Sequence, residues 1–231
     1  MSFAKAFFDV GLFTNQASVL RDYYQQLGLS FDHSLKLGGG VLQHRYQADG
    51  AILKINDARD PLPDAPPGAL SELLIALPGC SQSVQLRDPD GNRISLVAPG
   101  EHDIQGLALR LSVSDIAASS GFYTQVLGLV EVRPGVLSCG TGLLLLDRSG
   151  RAPYPASPLA ARGLRYLTLQ IFDCDATYAR ATSNGAVGLR PPVTMGSTAR
   201  VAFIQDPDGT WIELSERASI TGKSLEGGYT S

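Results

Sequence analysis

The chain has 231 residues, 44% of them hydrophobic, enough to bury one large core or two domains of about 100 to 120 residues each. Its 19 basic and 22 acidic side chains give a net charge of −3 and form no blocks, which removes the electrostatic case for nucleic acid or an anionic membrane and points to a small molecule as partner. Cys80, Cys139 and Cys174 are odd in number and lack metal-type spacing; with no leader-like start and no apolar run of roughly 18 residues, the chain reads as a soluble cytoplasmic protein with reduced thiols.

In chain order, Phe7 to Phe13 reads as a strand and Ser18 to Leu27 as an amphipathic helix, ended by Gly28 as the C′ residue. A strand over Phe31 to Leu37, a Gly38-Gly39-Gly40 turn and an antiparallel pair through Val41 to Ile55, turning at Asp49-Gly50, complete a β-α-β-β-β module. The proline-rich stretch Asp57 to Gly68 is a loop between modules. Leu70 to Leu77 is a further strand, but Pro78-Gly79 stops it and leaves no room for a helix before the next hairpin. The second half is more complete. It runs as strand Leu107 to Val113, helix Ile116 to Leu127, short strands to Leu146, a linker Pro153 to Pro158, strand Leu164 to Phe172, helix Cys174 to Ser183 and a final hairpin. Asp173 or Asp175 can cap the last helix. No structure is assigned beyond Thr221.

Two internal repeats organise these elements. Val84 to Leu96, through Asp88-Pro89-Asp90-Gly91, recurs as Val201 to Leu214, through Asp206-Pro207-Asp208-Gly209, with the turn 118 residues later. Pro fixes φ, Asp bonds nearby N–H groups and Gly takes a positive φ, so each copy predicts a hairpin. Asp22 to Leu29 matches Phe122 to Leu129 at an offset of 100, so the first half is shorter by about 18 residues. The expected class is α+β, with a first domain over 1–100 that lacks one helix, a second over 101–218 that carries the pocket, and a flexible tail over 219–231. An incomplete first half also leaves room for a homodimer.

Tandem modules with Phe122-Tyr123…Leu127-Gly128-Leu129 after a strand and Asp-Pro-Asp-Gly in the last hairpin resemble the vicinal oxygen chelate superfamily, the group of glyoxalases, bleomycin-resistance proteins and extradiol dioxygenases. The resemblance covers about residues 6 to 217. It implies two cupped mixed-sheet half-barrels, each able to hold a ligand, with a divalent metal on the cupped face. It also implies metal ligands at the first inward position of a module and at the last-hairpin Glu. Those positions hold Ala108, Tyr166 and Glu213 in the second half, and Asp9, Glu72 and Ser95 in the first. Ala108 cannot ligate, a catalytic transition metal commonly takes three His or carboxylate ligands, and Asp9 with Glu72 offers only hard oxygen ligands. No metal or cofactor is expected.

Strand alternation puts Ala202, Ile204, Ile212 and Leu214 on one face of the last hairpin and Val201, Phe203, Gln205, Trp211 and Glu213 on the other. The resemblance makes the second face the cupped one. Glu213 among aromatic rings is expected to have a raised pKa and to act as general acid or base, with Tyr166 as hydrogen-bond donor. Alternatively it is a relic of a metal site, solvated or paired with Arg200 or Arg165. Trp211, Phe203, Met195, Arg200, Ala108 and His44 are the ligand-binding candidates. Three functions stay open: a metal-independent isomerase, lyase or cyclase on an aromatic or polyketide-like metabolite, a non-catalytic binding or resistance protein, and a metal-dependent dioxygenase or glyoxalase-type enzyme.

Overall fold

The computed structural model describes residues 2–154 and 157–225. The first module is β1 (Asp9–Thr14), α1 (Ala17–Gln26), β2 (Ser30–Gly38), β3 (Val41–Ala48) and β4 (Ala51–Ala58). The second is β5 (Leu70–Ala76), β6 (Val84–Arg87) and β7 (Arg93–Val97), without a helix as expected. The third has β8 (Leu107–Val113), α2 (Ile116–Gly121), β9 (Val130–Arg133), β10 (Val136–Cys139) and β11 (Gly142–Arg148). The fourth has β12 (Gly163–Gln170), α3 (Cys174–Ser183), β13 (Val187–Met195), β14 (Ala199–Gln205) and β15 (Trp211–Arg217). Asp173 caps α3, its Oδ1 accepting from Ala176 N at 2.9 Å. A helical turn, α4 (Ala218–Thr221), overlaps the start of the tail expected over 219–231; the residues beyond 225, and Pro155 and Ala156 of the second linker, lie outside the described ones. Among the described residues no helix is long and apolar enough to cross a membrane.

The strands form two mixed, curled sheets, and the sheets do not follow the halves of the sequence. One runs β13-β14-β15-β12-β1-β4-β3-β2 and the other β6-β7-β5-β8-β11-β10-β9. The first module is therefore joined to the fourth through antiparallel β1 and β12, and the second to the third through antiparallel β5 and β8. A boundary at residue 100 separates the repeats but cuts both sheets. The main core gathers the outer faces of both sheets, among them Val10, Leu12, Leu73, Ile75, Leu109 and Leu167, with Leu20 and Tyr24 of α1.

What ties each half together is the repeated hairpin turn. Asp88 Oδ1 accepts from the N–H groups of Asp90 and Asn92 at 3.0 and 2.9 Å, and Asp206 Oδ1 from those of Asp208 and Thr210 at 3.0 and 2.7 Å. The second carboxylate oxygen takes a buried tyrosine: Tyr24 Oη donates to Asp88 at 2.9 Å and Tyr123 Oη to Asp206 at 2.8 Å. The helix expected over Ile116 to Leu127 is not uniform, because α2 passes at Gly121 into a π turn over Phe122–Val126. The N-cap residues Gln16 and Asp115 are 99 positions apart and the Leu-Gly-Leu segments 100. Tyr24 and Tyr123 share the offset of 99, so the extra residue falls after Tyr123, where the wide turn absorbs it before Leu127-Gly128-Leu129.

Gly11 on β1 is fixed by a close approach, not by its φ. The Tyr166 ring of β12 lies across it, and a Cβ there would overlap the ring. Gly11→Ala is expected to cost about 1–3 kcal/mol through overpacking, read by denaturant unfolding, and to push Tyr166 from its place. Unchanged stability would mean that the ring does not rest on Gly11.

Candidate functional site

Period-two alternation turns Phe13 of β1, Gln43 and Arg45 of β3, Lys54 and Asn56 of β4, Tyr166 of β12 and Glu213 of β15 to the concave face of the eight-stranded sheet. They floor a cavity of about 490 Å³ whose apolar walls come from Leu35, Leu37 and Val41 on one side and Val193, Val201 and Phe203 on the other. The cup is thus shared between the first and fourth modules. The outward residues Ala202, Ile204, Ile212 and Leu214 pack in the main core, as alternation predicts.

At the floor Lys54 Nζ donates to Glu213 Oε2 at 2.6 Å and to Thr168 Oγ1 at 2.6 Å, and Thr168 Oγ1 donates to the same Glu213 oxygen at 2.5 Å. Glu213 Oε1 accepts from nothing among the described residues. The Lys54 side chain is 4% exposed and that of Glu213 14%. Burial pushes the Glu213 carboxyl up, but the Lys54 ammonium, the two hydrogen bonds and Arg45 outweigh it and hold the carboxyl below its usual range. This reverses the raised pKa expected from aromatic neighbours alone. Burial also lowers the pKa of Lys54, with Glu213 and Asp9 opposing it. Sequence reasoning missed Lys54, although a lysine and an asparagine two apart within Ala51-Ile52-Leu53-Lys54-Ile55-Asn56 do mark one polar face on an otherwise apolar strand.

Beside this pair the hydrogen-bond directions are fixed from both ends. The Leu12 carbonyl can only accept, so the Asn56 amide donates to it at 2.8 Å. Asn56 Oδ1 then accepts from Gln43 Nε2 at 2.9 Å, and Gln43 Oε1 accepts from Arg45 Nη1, which can only donate, at 3.0 Å. Tyr166 Oη faces two amide donors, Asn56 at 3.2 Å and Gln43 at 3.4 Å. Its own proton goes to no described acceptor. Burial, then the Glu213 charge, raises the Tyr166 pKa, so the hydroxyl stays protonated.

The other candidates disperse. Phe203 and Met195 line the cup. Trp211 lies behind Phe203, ring centroids 5.8 Å apart, with Nε1 donating to Ser157 O at 2.8 Å. Arg200 points to the helix face, where it pairs with Asp175 at 2.5 and 2.7 Å and so binds neither the cup nor Glu213. Arg165 is buried against loop carbonyls on the same outer side. His44 falls opposite Gln43 and Arg45 by alternation and bonds Ser34 Oγ through Nδ1 at 2.8 Å. Ala108 belongs to the seven-stranded sheet, packed with Leu74 and Leu143. Asp9 and Glu72 lie in different sheets and cannot share a cation.

Residues 104–214 match the family model described as "Glyoxalase/Bleomycin resistance protein/Dioxygenase superfamily". The second half of the chain belongs to this superfamily. The whole chain carries its fold. A mutant of glyoxalase I from Zea mays superposes with a TM-score of 0.72 at 15% identity, over 94% of this chain and 95% of that one. Another Zea mays glyoxalase I structure gives 0.68 at 17%, over 90% and 91%. A candidate dioxygenase of Bacillus subtilis gives 0.62 at 12%, over 95% and 90%. A sequence search of curated proteins returned no match.

The superfamily's divalent metal does not fit these residues. Among the described residues no three His, Cys, Asp or Glu side chains come together. Asp9 is committed, Oδ1 to Ile52 N at 3.0 Å and Oδ2 to Gln170 Nε2 at 2.9 Å, and Glu213 is held by an ammonium. The second cup repeats the pattern with another cation: Arg110 bridges Glu72 at 2.8 Å and Asp147 at 2.7 Å, and Ser95 donates to Glu72 at 2.6 Å. Each cup therefore sets a basic side chain against the carboxylate that a metal ion would need.

Proposed function

We propose that the first cup binds a small oxygenated molecule with an apolar, aromatic or polyketide-like body and moves a proton on it without a metal, as an isomerase, lyase or cyclase. The observation that carries this reading is the Lys54 ammonium 2.6 Å from Glu213. Glu213 Oε1 takes a proton from a carbon next to the ligand carbonyl. The C–H electron pair becomes the C=C bond of an enolate, and the charge moves to the ligand oxygen. Tyr166 Oη donates to that oxygen, and Lys54, whose Nζ lies 5.4 Å from the Tyr166 ring centroid, neutralises it. Negative charge is relocated beside Lys54 rather than created, so a carboxylate of low basicity can serve as base. Return of the proton to another carbon gives the isomer and restores the ion pair, with no further reactant.

The test follows deuterium uptake next to the carbonyl of aryl ketones such as propiophenone and benzoin in D2O by NMR. The protein is expected to accelerate uptake, and Glu213→Gln to slow it by about 10²–10⁴-fold. Because the Glu213 pKa is lowered, the base stays ionised through neutral pH and the rate is expected to fall only in the acid range. Equal rates for Glu213→Gln and the parent, or no uptake with either, contradict the assignment. The low basicity of Glu213 also favours a second reading, ligand sequestration without turnover. In that case Glu213→Gln keeps affinity, and Trp211→Ala, which removes the support behind Phe203, loses it.

A further inference from the structure

Two buried arginines of the eight-stranded sheet are satisfied very differently. Arg165, fully buried, donates five hydrogen bonds: to the carbonyls of Ala65, Pro66, Pro158 and Leu159 and to Ser157 Oγ. Arg45, 4% exposed, donates one, to Gln43 Oε1. Its Nε has no partner among the described residues. The nearest carboxylate oxygen, Asp9 Oδ2, is 4.0 Å from Nη2 and already accepts from Gln170. A guanidinium has five N–H donors, and a buried charge without its hydrogen bonds is costly.

Arg217, at the end of β15, lines the same cavity. It forms no ion pair and donates no side-chain hydrogen bond among the described residues. Burial first, and then the charge of Arg45, lowers its pKa; Asp9, Glu213 and Asp32 oppose this without contact. Glu213 is held by Lys54 and Thr168. The remaining cation of the cup, Arg190, stacks over the rings of Phe203 and Trp211 at 5.6 and 5.7 Å from their centroids. Among the described residues the lining thus holds Arg45, Lys54, Arg190 and Arg217 against the single carboxylate of Glu213.

We propose that Arg45 and Arg217 form an anion subsite and that the molecule bound in this cup is a carboxylic acid with a flat apolar body. Its carboxylate sits against the two guanidinium groups, whose planar N–H pairs match it. Its body rests on Phe203 and Phe13 beside Met195. This deepens the reading of the cup as a ligand site and rests on it, but not on Glu213 as a base.

The test uses the fluorescence of Trp211, the single tryptophan of the chain, to titrate trans-cinnamate and 2-naphthoate against their neutral amides. Each acid is expected to bind at least about 10-fold tighter than its amide. Arg45→Met and Arg217→Met are each expected to weaken acid binding by about 10-fold or more and to leave the amides unchanged. Equal binding of acid and amide, no acid binding at millimolar concentration, or variants that keep the preference overturn the proposal. Should Arg45→Met not fold, the parent's acid preference and Arg217→Met decide it. The two readings fail separately: loss of the acid preference leaves Glu213-dependent proton exchange standing, and exchange indifferent to Glu213→Gln leaves the acid preference standing.

Discussion

Lys54→Met is expected to destabilise the protein by about 3–5 kcal/mol at neutral pH, because it leaves the Glu213 carboxylate in the cup with neither its ion-pair partner nor that partner's hydrogen bond. The pH dependence carries the diagnosis. In the parent the Glu213 pKa is lowered in the folded state, so its contribution is present above the unfolded value near 4.3 and is lost as pH falls through the folded one. In Lys54→Met the burial of Glu213 is left without its main opponent, the folded pKa rises above the unfolded value, and the deficit relative to the parent shrinks as pH falls from neutral. Urea unfolding at several pH values measures both. Lys54→Met/Glu213→Leu is expected to recover most of the loss, since an apolar pair avoids desolvating either charge. A deficit independent of pH, or no recovery in the double variant, would mean that Lys54 acts through packing alone.

The second large effect is expected at Arg165. Its guanidinium ties the proline-rich loop at Ala65 and Pro66 to the second linker at Ser157, Pro158 and Leu159, with bonds of 2.5 to 3.3 Å. Among the described residues no carboxylate pairs with it, and burial pulls its pKa down to about 10, so it remains a cation held by carbonyl dipoles. Arg165→Met is expected to cost at least about 3 kcal/mol, because several enclosed acceptors lose this donor. Limited proteolysis should then cut both linkers before the sheets. Arg165→Lys is expected to restore little, since three donors on one nitrogen cannot reach acceptors spread around a planar fork. Linkers as resistant in Arg165→Met as in the parent would refute the tie.

These two residues also mark where sequence reading stopped. Helices α1 and α3, the Asp173 cap and both Asp-Pro-Asp-Gly hairpins were legible because turn chemistry and periodicity are local. The faces of β14 and β15 were legible because alternation is strict along a strand. The pairing of β1 with β12 was not, because strand pairing across the chain leaves no short-range signature, and the division at residue 100 followed the repeats instead of the sheets. Glu213 could be placed on the cupped face, but its partner Lys54 lies 159 residues earlier. Without that ammonium, the aromatic neighbours alone suggested a raised pKa. The π turn was hidden in the one-residue difference between the offset of the helix N-caps, 99, and that of the Leu-Gly-Leu segments, 100. His44 and Arg200 fell outside the cup because each sits one residue out of phase with the concave positions of its strand.

An internal ammonium, Lys54 Nζ at 2.6 Å, is the partner of Glu213 in the place a metal ion would need. The most direct measurement is the metal content of untagged protein purified without chelator, before and after incubation with Fe(II), Mn(II), Zn(II) and Ni(II), with Glu213→Gln in parallel. The parent is expected to hold no stoichiometric metal and not to differ from Glu213→Gln. One tightly held equivalent in the parent, lost on Glu213→Gln, would contradict it.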